Sequence, residues 1–334
     1  MMMMKKSMKW LATLALAAMV VGAAGCGSST QSGSKDKKSY KVGVLQLVQH
    51  PALDAANKGF IDGLKSKGFE EGKNVTFDQQ NAQGDQSNLQ TIAQRFVSNK
   101  DDLVCAIATP AAQTMANASK EIPIVGTAIT DYKVAKLVKD NSKPGTNVTG
   151  TTDMNPVEAQ IDLLVKIMPR AKTVGFIYNS SEVNSQLQID LAKKAAAARG
   201  LATVEATVSS VNDIQQAAQS LMGKVDALYI PTDNVMASAM PNLIKITDEA
   251  RIPVFCGEAG MLKSGCVATL GIDYYKLGFQ TGEMAADILS GKAKPQDMAI
   301  QSQKTFTVSL NEEAIKKLGL TIPDDIRKEA KGAK

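Results

Sequence analysis

The residues able to do chemistry gather where apolar runs stop. In "IPVFCGEAG" (252–260), Ile252, Val254 and Phe255 lead straight to Glu258 between two glycines. "PTDN" (231–234) ends another such run with Asp233, and "ATPAAQ" (108–113) places Thr109 ahead of Ala111 and Ala112. "TAITD" (127–131) supplies Thr127 and Thr130, "QLVQHP" (46–51) Gln46 and His50, "YNSSEVNS" (178–185) Asn179 and Ser180, and "GIDYY" (271–275) Asp273. Hydroxyls, amides and a few acids dominate, with no Lys or Arg among them, which argues against a phosphorylated or multiply anionic ligand. Pro110 suits the first turn of a helix, where the amides of Ala111 and Ala112 can seat one carboxylate beside the Thr109 hydroxyl. Thr109 can equally cap its own helix. Glu258 or Asp233 can receive an ammonium group; Glu258 is otherwise a solvated loop acid, and Asp233 otherwise a helix cap. Donors from one set of strand ends and acids from another fit an α-amino acid.

Enzyme chemistry finds little support. His50 is the sole histidine, and no nucleophile elbow, strand-following GxGxxG or P-loop accompanies it. Cys26, Cys105, Cys256 and Cys266 match no zinc spacing, so neither a metal nor a cofactor is expected. Cys105 sits in an apolar run as a core residue; Cys256 and Cys266 can pair or stay free. The one tryptophan, Trp10, lies near the N-terminus, which leaves the body without the ring that most favours sugar stacking. Tyr132, Tyr178, Tyr229, Tyr274 and Tyr275 lie near strand ends and can contact an apolar or aromatic side chain.

Residues 1–25 have the marks of an export leader, with an uncleaved membrane anchor as the alternative. Lys5, Lys6 and Lys9 precede the uncharged "LATLALAAMVVGAAG", which is too short to span a bilayer. Three of the 38 basic residues lie there with no acid, so the remaining chain carries 35 basic and 33 acidic residues. So weak a bias gives no reason to expect nucleic acid as a partner. Residues 27–39, "GSSTQSGSKDKKS", hold no core residue, a composition expected of a flexible tether.

From Tyr40 onward, near-continuous apolar strands alternate with amphipathic helices, the pattern of a parallel sheet covered on both faces. The order then recurs: "KVGVLQL" is answered by "TVGFIYN", "DLVCAIATP" by "DALYIPTDN" and "IPIVGTAIT" by "IPVFCGEAG". The fold class is α/β, with two Rossmann-like doubly wound lobes joined by three crossovers. The expected lobes are 40–151 plus 266–301 and 152–265 plus 302–334, following the tether at 26–39. Ligands collect beyond the carboxyl ends of parallel strands, which here means the cleft between lobes.

"VGAAGC" resembles the lipobox of bacterial lipoproteins, which implies cleavage before Cys26 and acylation of its sulfur. The stretches "HPALDAANKGFIDGL", "NAQGDQSNLQTIAQRFV", "IATPAAQTMAN", "PGTNVTG", "YNSSEVNS", "VDALYIPTDN" and "GIDYYKLGFQTGEMA" resemble tryptophan/tyrosine-type ABC substrate-binding proteins over the full mature length. That resemblance implies a type I periplasmic-binding-protein fold and a monomeric receptor, lipid-anchored outside the cytoplasm, that closes on an aromatic amino acid and hands it to ABC permease subunits. It also implies first-lobe hydroxyls and amides on the ligand carboxylate, matched by Thr109 and Thr127, and a second-lobe acid on the ammonium, matched by Glu258. Where such receptors often stack the ligand on an aromatic ring, this chain has Asn179 and Ser180. A receptor for a nucleoside or sugar, and a surface adhesin with a vestigial cleft, are the alternatives.

Overall fold

The computed structural model describes residues 39–332. The expected leader, Cys26 and nearly all of the tether lie outside the described residues. The body opens with β1 (Tyr40–Gln46), α1 (Pro51–Ser66), β2 (Val75–Asn81), α2 (Gln86–Asn99) and β3 (Leu103–Ile107), followed by α3 (Thr109–Ala118), β4 (Ile124–Ile129) and β5 (Val148–Thr152). It continues through α4 (Val157–Ile167), β6 (Thr173–Asn179), α5 (Val183–Ala198), β7 (Ala202–Val208), α6 (Ile214–Leu221) and β8 (Ala227–Ile230). Next come α7 (Asn234–Ser238), α8 (Met240–Ala250), β9 (Val254–Cys256), β10 (Ala268–Gly271) and α9 (Tyr274–Leu289). Short strands β11 (Gln301–Ser302) and β12 (Thr307–Leu310) precede α10 (Glu312–Leu318) and α11 (Asp324–Gly332).

Two six-stranded sheets result, ordered β11-β5-β4-β3-β1-β2 and β12-β10-β9-β8-β6-β7. Every pairing is parallel except β10 with β12. β3, β4, β8 and β9 are buried along their whole length, as strands covered on both faces must be. Each sheet has its own apolar core: Val44, Leu53, Phe60, Phe96 and Ile107 centre the first, Phe176, Tyr229 and Phe255 the second. The chain crosses between lobes after β5, after β10 and after β11.

The crossing expected at residue 266 needs correcting. β10 pairs with β9 through Ala268 and Phe255, and antiparallel with β12 from Ala268–Leu310 to Gly271–Thr307. It therefore belongs to the second sheet, and the chain returns to the first lobe only between Gly271 and Tyr274. There α9 packs along α1. The seam between these helices is glycine: a Cβ on Gly278 would overlap the Ala56 carbonyl, and one on Gly59, Gly63 or Gly282 would overlap Tyr275, Phe279 or Phe60 carbonyls. No helix among the described residues is long and apolar enough to cross a membrane.

Candidate functional site

Strand ends and helix starts from both lobes converge on a small interlobe cavity of about 10 Å³. From the first lobe come His50, the extended residue before Pro51 opens α1, and Ala128 and Thr130 at the end of β4. Asp153 follows β5 directly, and Tyr274 opens α9. The β4–β5 ladder shifts register between Gly126 and Ile129, and Ala128 takes φ 55, a left-handed conformation that costs a non-glycine residue about 1 kcal/mol or more. The second lobe contributes Asn184 from the first turn of α5, Thr232, Asp233 and Asn234 where β8 meets α7, and Glu258 after β9.

Two polar networks line this cavity. In one, Asp153 accepts from the Thr130 hydroxyl (3.0 Å) and the Tyr274 phenol (2.8 Å). Gln188 of α5 donates to Thr130 across the lobes (3.3 Å) while its carbonyl accepts from the Thr232 amide (3.0 Å). Glu258 accepts from the Gly260 amide through Oε2, but its Oε1 is buried with no partner. In the other, Glu182 accepts from Asn184 Nδ2 (2.9 Å), Asn234 Nδ2 (2.5 Å) and the amides of Asn234 and Val235 (3.3 Å each). His50 Nε2 meets Asn234 Oδ1 at 3.3 Å, a second link between lobes. Asp233 accepts from the amides of Asn179 (2.6 Å) and Met236 (2.9 Å), so it caps α7 and ties down the end of β6.

Asp153, Glu182, Asp233 and Glu258 are each at most 3% exposed, and no Lys or Arg lines the cavity. Removal from water disfavours their charged forms. Burial, with the Asp153 charge adding to it, lifts Glu258 from 4.5 to about 7. Glu182 rises to about 7 through burial and the neighbouring Asp233. Burial also raises Asp153 and Asp233, and it lowers His50 to about 4, so that its imidazole is neutral at pH 7. An acidic interior with an unpartnered carboxylate oxygen is built to receive a cation that also donates hydrogen bonds. Among the described residues no cluster of three or more His, Cys, Asp or Glu is arranged to hold a metal ion.

Of the residues singled out in the sequence, His50, Thr130, Asp233 and Glu258 meet in this cavity. Asn179 stands behind it, with its amide on Asp233 and its side chain on Glu182 (3.4 Å). Gln46 instead braces the start of α1, donating to Val48 O (3.0 Å) and Asp54 (2.7 Å) and accepting from Asn57. Thr127 is buried under the site and accepts from Thr151 (3.3 Å). Thr109, Ala111 and Ala112 are buried at the start of α3, and the Ala112 amide, expected to face a ligand, donates to Ala108 O within the chain (3.1 Å). Ser180 is exposed outside the cavity with its amide on Val208 O, and Asp273 is exposed, capping α9 at the Lys276 amide (3.1 Å). Tyr274 alone of the tyrosines lines the cavity; Tyr132 and Tyr229 are interior, and Tyr178 and Tyr275 bond Glu205 and Asp62 outside it. Cys105, Cys256 and Cys266 are buried free thiols. Asp153, Glu182, Asn184, Thr232 and Asn234 were not singled out. Asp153 ends a strand in "TTDMNP", and the others lie inside loops already recognised as strand ends, so the same logic reaches them.

Residues 41–334 match the family model described as ABC transporter substrate binding protein. The chain is 43% identical to the tyrosine-binding protein of Clostridioides difficile (strain R20291) over 297 residues, 89% of this chain and 86% of that protein. A crystal structure from Streptococcus pneumoniae in complex with L-Trp is 40% identical, with a TM-score of 0.85 over 88% of this chain and 99% of that one. A ligand-free, open substrate-binding protein with adhesive properties from Clostridium difficile is 46% identical, yet its TM-score is 0.66 over 86% of this chain and 97% of that one. The more identical chain superposes less well. The lobe arrangement described above thus follows the tryptophan-bound relative rather than the open one.

Proposed function

This chain belongs to the ABC transporter substrate-binding protein family, solute binders rather than enzymes, and we propose that its solute is an aromatic α-amino acid held between the lobes. The observation that carries this is Glu258: a carboxylate 1% exposed, with one oxygen unpartnered, in a cavity lined by two more acids, Asp153 and Asp233, and by no Lys or Arg. The ammonium of an amino acid supplies both the missing charge and the missing donors. Asp233, by contrast, already receives two backbone amides and caps a helix, so Glu258 takes the ammonium and Asp233 shapes the wall. The ligand carboxylate turns to the start of α1, where His50 provides no side-chain cap and Leu53 lines the cavity. The similarity to tyrosine- and tryptophan-binding relatives supports the aromatic side chain.

Binding works by population shift. Closure brings the first-lobe Asp153 up to the second-lobe Glu258, which an empty cleft opposes, and a ligand touching both walls offsets that cost only when the lobes are shut. The closed receptor then presents its solute to an ABC permease from the extracytoplasmic side. Acyl chains on Cys26 hold it at the membrane, and the tether gives it reach. A thermal-shift and calorimetric panel of amino acids, nucleosides and sugars tests the reading. A ligand at 100 times its Kd adds about 2.7 kcal/mol of stability. Stabilisation by L-tyrosine or L-tryptophan is the expected result, and a lead by a sugar or nucleoside overturns it. Incorporation of labelled palmitate, abolished by Cys26→Ser, tests the anchor.

A further inference from the structure

Three residues that line the cavity each have a side-chain polar atom buried without a partner: Glu258 Oε1, Asn184 Oδ1 and His50 Nδ1. Their surroundings fix what each can do. Asn184 turns its other amide atom toward Glu182 Oε2 (2.9 Å) and the Thr232 carbonyl (3.1 Å), both acceptors, so that atom is the nitrogen and the unpartnered one is oxygen. Asn234 is oriented the same way by Glu182, which places its Oδ1 toward His50. The proton of the neutral His50 ring is therefore on Nε2, and Nδ1 is a bare lone pair. All three orphan atoms are acceptors, and they come from both lobes.

One ammonium does not account for them. Glu258 belongs to the end of the cavity that holds Asp153, and its unmet need is a charged donor. Asn184 and His50 belong to the Glu182–Asn234 network, in which both carboxylates, Glu182 and Asp233, are already met by several donors. What remains there is neutral and calls for a neutral N–H or O–H. Resting on the amino-acid reading above, we infer that Asn184 Oδ1 and His50 Nδ1 receive the polar hydrogen on the ligand's ring, the phenol O–H of tyrosine or the indole N–H of tryptophan, and so select both against phenylalanine. Closing on phenylalanine leaves two buried acceptors unmet, whereas closing on tyrosine satisfies at least one. Sites built to bond a ligand hydroxyl reject the analogue lacking it far more strongly than apolar pockets reject a size change.

The test is a calorimetric ligand series on the wild-type chain: L-tyrosine, L-tryptophan, 4-amino-L-phenylalanine, L-phenylalanine and 4-fluoro-L-phenylalanine. The three ring donors should bind at least about tenfold tighter than the two rings without one. Asn184→Ala should narrow the tyrosine-to-phenylalanine ratio by about tenfold, whereas a merely structural role for Asn184 would weaken both ligands alike and leave the ratio where it was. If all five ligands bind within about threefold of one another, or the ratio survives in Asn184→Ala, ring-donor selection is wrong while the amino-acid reading stands. If none of the five binds, that reading has failed and this inference with it.

Discussion

Replacing Glu258 with glutamine separates the two consequences of its burial. In the closed, ligand-free protein the carboxyl group holds its proton up to about pH 7, against 4.5 for the ordinary group, mainly because it is buried. An acid whose folded-state value is raised binds protons better folded than unfolded, so stability falls as pH climbs from about 4.5 through 7. At about 1.4 kcal/mol per pH unit the loss reaches roughly 3 kcal/mol above pH 7. This is an upper limit, because opening the lobes returns the group to water. Glu182 is raised to about 7 as well but is present in both proteins, so it cancels in the difference. Ligand-free Glu258→Gln should match the wild type near pH 4.5 and exceed its stability by up to about 3 kcal/mol at pH 8. Affinity moves the other way: losing a hydrogen bond to a charged group costs about 1.5–3 kcal/mol, so L-tyrosine should bind about 10- to 150-fold more weakly at pH 8. Urea unfolding across this pH range, paired with calorimetry at pH 8, reads both effects. A variant less stable than wild type at pH 8 refutes the burial argument. Unchanged tyrosine affinity removes Glu258 from ligand contact even if the stability gain is found.

Tyr274→Phe removes the 2.8 Å phenol bond to Asp153 and leaves a buried carboxylate oxygen unmet, so stability should fall by about 1–3 kcal/mol, read as a drop in the urea midpoint; an unmoved midpoint would show that Asp153 does not depend on this bond. Gly278→Ala forces a methyl into the Ala56 carbonyl and should lower stability by about 1–3 kcal/mol or more, read as a drop in the urea midpoint. An unmoved midpoint would mean the two helices can slide apart freely. Cys105, Cys256 and Cys266 should resist a thiol reagent in the native protein and react in urea, since all three are buried and free; a native disulfide found by mass spectrometry would contradict this.

The sequence resolves some levels of this molecule better than others. Continuous apolar runs such as "DLVCAIATP" reveal a strand covered on both faces whatever its neighbours, so the two-lobed parallel architecture is readable without them. Sheet membership is not. "CVATLG" is equally apolar in either sheet, and only its pairing with β9 and with β12, far along the chain, assigns it to the second. Strand ends also locate the cleft, which is why His50, Thr130, Asp233 and Glu258 are legible. The direction of a loop side chain is set by backbone turns that residue types do not specify. Ser180 and Glu182 share one loop, yet the first faces out and the second is buried against α7. The α3 amides mislead for a related reason: their use depends on whether the preceding carbonyl turns back, as Ala108's does toward Ala112.

The glycine seam between α1 and α9 constrains how this receptor can diversify. Both helices begin at the cavity, one just after His50 and the other at Tyr274, and four glycines let their backbones meet. Neither helix can be re-aimed without the other, since any side chain in the seam drives them apart. The part of the first-lobe wall that His50 and Tyr274 build is thus a single stiff jaw with little tolerance for adjustment. The second-lobe wall is assembled from separate loop ends after β6, β8 and β9, each able to change with fewer consequences elsewhere. New solute preferences in chains of this build should therefore accumulate in the second lobe, around Asn184, Asn234 and Glu258, while the jaw they face stays fixed.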